Sequence, residues 1–162
     1  MKIGVISDTH IPDRAKEIPA KVLEVFKKVD MIIHVGDMVD ISVLKKLKTV
    51  CSNVRAVAGN MDPSEIKDIL PERDVFKVSG RTIAVVHGWG SPGRLLDAVT
   101  EAFRDQKPDV VIFGHSHTPF NEVRNGILFF NPGSPTDDFF APYHSVGILE
   151  IDKTVTGSIV KV

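Results

Sequence analysis

A chain of 162 residues, 43% hydrophobic and 25% charged, has the size and composition to bury one core of ordinary globular type. Its formal net charge of -1 excludes a global electrostatic pull toward nucleic acid or membrane surfaces. A lone cysteine, Cys51, excludes an intrachain disulfide framework and a cysteine-rich zinc site.

The first apolar run, Ile3-Gly-Val-Ile6, reads as a buried strand ending at Ser7-Asp8-Thr9-His10. It is too short for a signal-peptide core, and no later run approaches the ~20 residues of a membrane span. The expectation is a cytoplasmic protein with one domain over residues 1–162. Pro19 suits the first turn of a helix over 20–29, with Val22, Val25, Phe26 and Val29 on one face. A second strand, Met31 to Val35, ends at Gly36-Asp37, and a short helix over 41–47 follows. Lys45, Lys46 and Lys48 cluster at that helix's C-terminal end, where the dipole favours them.

A third strand, Val54 to Ala58, ends at Gly59-Asn60, and Asp62-Pro63-Ser64-Glu65 can start another short helix. Residues 74–79 and 81–86 form a hairpin around Ser79-Gly80, and its second arm ends at His87-Gly88. A helix over 94–106 leads to the strand Val110 to Phe113, which runs into Gly114-His115-Ser116-His117. Asn125-Gly126 joins the strands 122–124 and 127–130 in a type I′ turn. Asn131-Pro-Gly-Ser134 and a loop with Phe139, Phe140 and Tyr143 precede a last pair of strands, 146–151 and 155–160. Early βαβα alternation giving way to hairpins predicts mixed sheets with outer helices.

Five apolar strands thus end in Asp8 and His10, Asp37, Asn60, His87, and His115 with His117. In open α/β sheets, ligands collect outside the carboxyl ends of strands. Singly, each ending has a blander reading. Gly-Asp and Gly-Asn pairs are usually turns, and a histidine before glycine can cap a strand. Together they supply two carboxylates, an amide oxygen and four imidazoles, more than one metal needs. Two divalent ions against two aspartates leave about +2 with neutral histidines, which attracts phosphate and lowers the pKa of a coordinated water toward ~7. The donor set disfavours calcium and favours manganese, iron, nickel, cobalt or zinc.

The ordered set Asp8-x-His10, Gly36-Asp37, Gly59-Asn60, His87-Gly88 and Gly114-His115-Ser116-His117 resembles the calcineurin-like metallophosphoesterase superfamily. Small size and Asn131-Pro-Gly-Ser134 resemble its YfcE-like phosphodiesterase branch. The resemblance implies a four-layer α/β/β/α sandwich of two mixed sheets flanked by helices, with a dinuclear metal site at strand C-terminal ends. It implies two divalent transition-metal ions, manganese first among them. Asp8, His10 and His117 would hold one ion and Asn60, His87 and His115 the other, with Asp37 bridging. The implied activity is hydrolysis of small phosphodiesters or nucleotide-like phosphate esters by a metal-bridging hydroxide. Asp37, Asn60, His115 and His117 would surround the reacting phosphate.

This chain has Met61 where much of the superfamily has a histidine after Gly-Asn, and a thioether cannot donate a proton. Asp62, the orienting partner of that histidine in such relatives, is expected to lack its partner, and good leaving groups should be favoured. YfcE-like relatives share the departure. The loop after Ser134 carries Asp137 and Asp138 and no arginine. His34 and His144 read as structural, Cys51 as an inert thiol, and Trp89 as pocket lining or rim packing. Phe139, Phe140 and Tyr143 read as loop packing or as the face of a homodimer. Two other functions compete. One is a non-catalytic protein-interaction scaffold of the same fold, like the family's retromer subunit. The other is a nuclease, against which the balanced charge and the lack of an aromatic-basic tract argue.

Overall fold

A computed structural model describes residues 1–162. The apolar runs form ten strands: β1 (Lys2–Ile6), β2 (Met31–His34), β3 (Val54–Ala56), β4 (Arg73–Val78), β5 (Arg81–Val86), β6 (Val110–Ile112), β7 (Phe120–Arg124), β8 (Ile127–Asn131), β9 (Ser145–Ile151) and β10 (Val155–Lys161). Between them lie α1 (Ala20–Phe26), α2 (Ser42–Lys48), α3 (Ser64–Lys67) and α4 (Pro92–Ala102).

The strands make two mixed five-stranded sheets, ordered β10-β9-β1-β2-β3 and β4-β5-β6-β8-β7. Each has a parallel trio, β1-β2-β3 in one and β5-β6-β8 in the other, with antiparallel partners outside. Strand periodicity assigns alternate side chains to opposite faces. Ile3, Val5, Met31 and Ile33 therefore meet Ile83, Val85, Val110, Ile112 and Phe130 between the sheets. The outer-facing Ile6 and Ile32 pack with Val22, Phe26, Leu44 and Leu47 of α1 and α2. On the other side, Ala84, Val86, Val111 and Phe129 pack on Leu95 and Val99 of α4. The order of layers is α/β/β/α, as the family resemblance implied. No helix is long and apolar enough to cross a membrane.

Phe130 fixes the spacing of the sheets. Its ring lies against β9 and β10 where both carry glycine, and a Cβ at Gly147 or Gly157 would stand 2.3 or 2.7 Å from it. Asn125 and Gly126 have φ of 51° and 80°, the two positive values a type I′ hairpin requires.

The helix ends differ from expectation. Helix α4 starts at Pro92 rather than Arg94, because Ser91 at the N-cap position is extended (φ −74°, ψ 150°), its C=O accepts the Arg94 N–H, and proline fits the first turn. It stops at Ala102 because Phe103 leaves helical geometry, and the tail to Gln106 continues in tighter i→i+3 turns. Helix α1 likewise ends at Phe26, with Val29 N–H bonded to Phe26 C=O.

Replacing Phe130 with alanine should cost about 3–5 kcal/mol in denaturant unfolding, the usual cost of emptying a buried phenylalanine site. A loss below about 1 kcal/mol would show that the sheets close over the gap.

Candidate metal centre

Both parallel trios send their carboxyl ends to one edge of the sandwich. From the first sheet arrive Asp8 after β1, Asp37 after β2 and Asn60 after β3; from the second come His87 after β5 and His115 with His117 after β6. Backbone bonds lock the edge: Asp8 N–H to Gly36 O (3.1 Å), His10 N–H to Asp37 O (3.0 Å) and Gly114 N–H to His87 O (3.0 Å).

Five of these residues occupy the left-handed region: Asp8 (φ 55°), His10 (42°), Asp37 (55°), His115 (68°) and His117 (57°). Such conformations cost energy in a non-glycine residue and cluster where geometry is constrained by function. Two glycines have a plain steric role. A Cβ on Gly59 would stand 2.1 Å from Asp37 Oδ1, and one on Gly114 would stand 2.0 Å from Ser7 Oγ and 2.8 Å from Asp8 Oδ2.

The side chains form two overlapping groups, Asp8–His10–His117 and Asp8–Asp37–His87, each with donor atoms within 4.8 Å of one another. His117 Nε2 lies 3.3 Å from Asp8 Oδ1, and His87 Nε2 lies 3.2 Å from Asp37 Oδ2. The same Asp37 oxygen is 3.7 Å from His10 Nε2, so Asp37 faces an imidazole of each group. Its Oδ1 accepts the Met61 N–H at 2.7 Å.

Ser7 Oγ, Asp8 Oδ1 and His87 Nε2 are buried without a well-formed hydrogen bond, and the last two have only ion-pair approaches, the nearest being those of His117 and Asp37. Buried polar atoms are rarely left so, and Asp8 Oδ1 and His87 Nε2 point into a cluster of carboxylates and imidazoles. A divalent cation fits this donor set, and imidazole with carboxylate suits transition metals.

The charges are strongly coupled. Burial works against the Asp8 carboxylate, but His117 and His87 hold its pKa at about 2. Burial also works against charge on His87, yet the Asp37 and Asp8 carboxylates raise its pKa to about 9. His117 is raised, against burial, by Asp8 and Asp137. His10 is lowered, chiefly by burial.

Asn60 and His115 stand beside this cluster. The Asn60 amide oxygen is 3.0 Å from His115 Nδ1, and His115 Nε2 is 3.0 Å from Gly90 O. The His87 and His115 rings meet edge-on at 5.4 Å. All seven residues singled out in the sequence therefore share one edge. Five bring ligating atoms together, and two pair with each other next to them.

Other contributors were not legible. Asp62, expected to lack a partner, is buried and accepts three backbone N–H groups: Asp37 (3.0 Å), Gly59 (2.7 Å) and Val39 (2.8 Å). It joins the loops after β2 and β3, a role with no need of a histidine at position 61. Asp137, also buried, accepts His117 Nδ1–H and the N–H groups of Phe139 (3.0 Å) and Phe140 (3.2 Å). That leaves His117 Nε2 toward Asp8, as a carboxylate behind a metal-binding histidine does. Ser134 Oγ–H donates to Asp8 O (2.7 Å), and Asn131 donates to Gly114 O (2.8 Å), so Asn131-Pro-Gly-Ser134 ties the ends of β1 and β6.

His34 is structural. Its Nδ1 accepts the Gly36 N–H (3.2 Å), its Nε2 lies 3.1 Å from Thr9 Oγ1, and burial lowers its pKa to about 4. His144 pairs with Asp138 at 2.9 Å. A cleft of about 540 Å³ opens on the cluster, walled by His10, Arg14, Met61, His117 and Phe140. A second, of about 460 Å³, adjoins Asn60, Lys67, His87 and half-exposed Trp89.

Comparison with known proteins matches residues 1–154 to the calcineurin-like phosphoesterase superfamily domain. A probable metallophosphoesterase of Methanocaldococcus jannaschii is 42% identical over 84% of this chain and 69% of its own. A vacuolar protein sorting-associated protein of Schizosaccharomyces pombe is 32% identical over 99% of this chain and 83% of its own. The structure of an archaeal phosphodiesterase, 27% identical, superposes with a TM-score of 0.78 over 99% of this chain and 100% of that one. The chain belongs to the calcineurin-like phosphoesterase superfamily, whose enzymes are metal-dependent phosphoric ester hydrolases.

Two outcomes follow from this geometry. Asp62→Ala should lower unfolding stability by about 3 kcal/mol or more, since each unpaired buried N–H costs ~1–3 kcal/mol; a loss under about 1 kcal/mol would show that water replaces the carboxylate. His87 keeps its proton at pH 7, below its pKa of about 9. A cation taking Nε2 must displace that proton, so zinc uptake should release about one proton or more and tighten as pH rises from 7 to 9. Calorimetry in buffers of different ionisation enthalpy reads this directly, and uptake without proton release would contradict it.

Proposed function

We propose that this member of the superfamily hydrolyses small phosphodiesters in the cytoplasm with two divalent transition-metal ions, manganese foremost. Asp8, His10 and His117 hold one ion; Asn60, His87 and His115 hold the other; Asp37 serves both. The observation that carries this reading is that Asp8 Oδ1 and His87 Nε2 are buried in a cluster of carboxylates and imidazoles without a well-formed hydrogen bond. Such ions supply an activated water near neutral pH and neutralise charge on the non-bridging phosphate oxygens.

The chain's own residues do the rest. Asp62 and Asp137 hold Asp37 and His117 in place through the bonds described above. The Met61 side chain is 57% exposed at the cleft and has no proton to give. The leaving group therefore departs without an acid at that position, and stable anions such as phenolates are favoured.

The sorting-associated relative supports a second reading, a protein-binding scaffold that keeps the fold. One assay separates the two. Protein stripped with a chelator and reloaded with manganese, nickel or cobalt should turn over bis-p-nitrophenyl phosphate, and the stripped protein should not. No turnover with any of the three would sink the enzyme reading. Asp37→Asn should lose metal and activity together, since one carboxylate serves both ions; wild-type metal content in that variant would refute the shared role. Met61→His should improve turnover of poor leaving groups more than good ones, and an unchanged leaving-group dependence would overturn the account of the missing acid.

A further inference from the structure

Arg14 is the only lysine or arginine on the wall of the cleft that opens on the metal cluster. Four of the other arginines pair with carboxylates: Arg55 with Asp74 at 2.7 Å, Arg81 with Asp109 at 3.1 Å, Arg124 with Glu122 at 2.9 Å, and Arg104 with Glu101. Arg94, which is also without a carboxylate partner, does not line this cleft. The Arg14 guanidinium makes no hydrogen bond within the chain. Its nearest carboxylate oxygen, Asp137 Oδ1, lies 3.9 Å from Nε, outside hydrogen-bond range. Asp137 does not need it, because His117 and the Phe139 and Phe140 backbone already occupy its oxygens.

This arginine is nevertheless held. Its side chain is 31% exposed, its Cζ stands 4.8 Å from the Phe139 ring centroid, and its backbone N–H bonds His10 O at 2.7 Å. Stacking on an aromatic face leaves the in-plane donors of a guanidinium free for an anion.

Its position says which anion. Asp137 stands between Arg14 and His117, and it bonds the Nδ1 side of that ring, whereas Nε2 faces Asp8. Arg14 thus lies one carboxylate and one imidazole outward from the cluster. The cleft between carries apolar lips, Met61 and Phe140, 57% and 68% exposed. Exposed apolar side chains gathered at a concave site suit an apolar or flat ligand portion.

We infer that Arg14 binds a second phosphate, carried on the substituent of the diester, so that the preferred substrate is a nucleotide-like phosphodiester with an additional phosphate group. Met61 and Phe140 contact the sugar or base between the two anions. Asp13, on the same cleft wall, disfavours an anion beside its own carboxylate. The inference rests on the phosphodiesterase reading.

The test compares two substrates on manganese-loaded protein: thymidine 5′-(p-nitrophenyl phosphate), and the same compound with a 3′-phosphate. Wild type should show a KM about tenfold or more lower for the second, the scale of one charge-assisted contact. Arg14→Met keeps the stem on Phe139. It should erase that preference while leaving kcat, metal content and KM for the first substrate unchanged, and Arg14→Lys should restore part of the preference. A wild type without the preference, or an Arg14→Met variant that retains it, overturns the inference. If neither compound nor bis-p-nitrophenyl phosphate is turned over, the phosphodiesterase reading fails, and calorimetry still decides on Arg14. Tighter binding of thymidine 3′,5′-diphosphate than of thymidine 5′-monophosphate, lost in Arg14→Met, supports the subsite, and equal binding removes it.

Discussion

Two carboxylates buried at the ends of adjacent parallel strands set the terms for the rest of this structure. Asp8 and Asp37 are almost wholly removed from water, and charges so placed are costly unless compensated. Compensation comes from the opposite sheet, as His87 and His117, whose pKa values the carboxylates raise. The sandwich makes this possible because both parallel trios present their carboxyl ends at the same edge. The local backbone then turns sharply, and five polar residues take left-handed conformations within that one region. Backbone strain of that kind persists only where surrounding contacts over-determine it. Here the Asp62 bonds, the Ser134 bond to Asp8 O and the close approaches at Gly59 and Gly114 do so.

The strands and their polar endings were legible because period-two apolar runs and glycine-flanked polar residues are local signals. The Ser79-Gly80 and Asn125-Gly126 turns were legible for the same reason. Helix ends were less so: Ser91-Pro92 is a start signal, but the expected start fell two residues later at Arg94. Asp62, Asp137 and Arg14 were hidden for a different reason. Asp62 acts across 25 residues of sequence on Asp37, and Asp137 across 20 on His117. Nothing in the spacing of those pairs marks them, since their proximity depends on how the loops meet at the sheet edge. The likeness of Asp62 to an orienting residue pointed toward a missing histidine, when the backbone was its partner.

Fold alone does not assign the chemistry. Relatives named as phosphoesterases and relatives named for protein sorting share this architecture. This chain brings two carboxylates, one amide and four imidazoles to a single edge. Around that set, the cleft wall carries Met61, which has no proton to donate, and Arg14 as its one lysine or arginine. The Asp137 loop joins the two levels, holding His117 with its carboxylate and carrying Phe140 on the cleft wall and Phe139 against Arg14.

The central claim is that one cluster holds two ions with Asp37 between them. Anomalous diffraction at the manganese edge, from crystals grown with that metal, tests it most directly. The account predicts two peaks flanking the Asp37 carboxylate, one beside Asp8, His10 and His117 and the other beside Asn60, His87 and His115. A single peak away from Asp37, or none at saturating manganese, would contradict it.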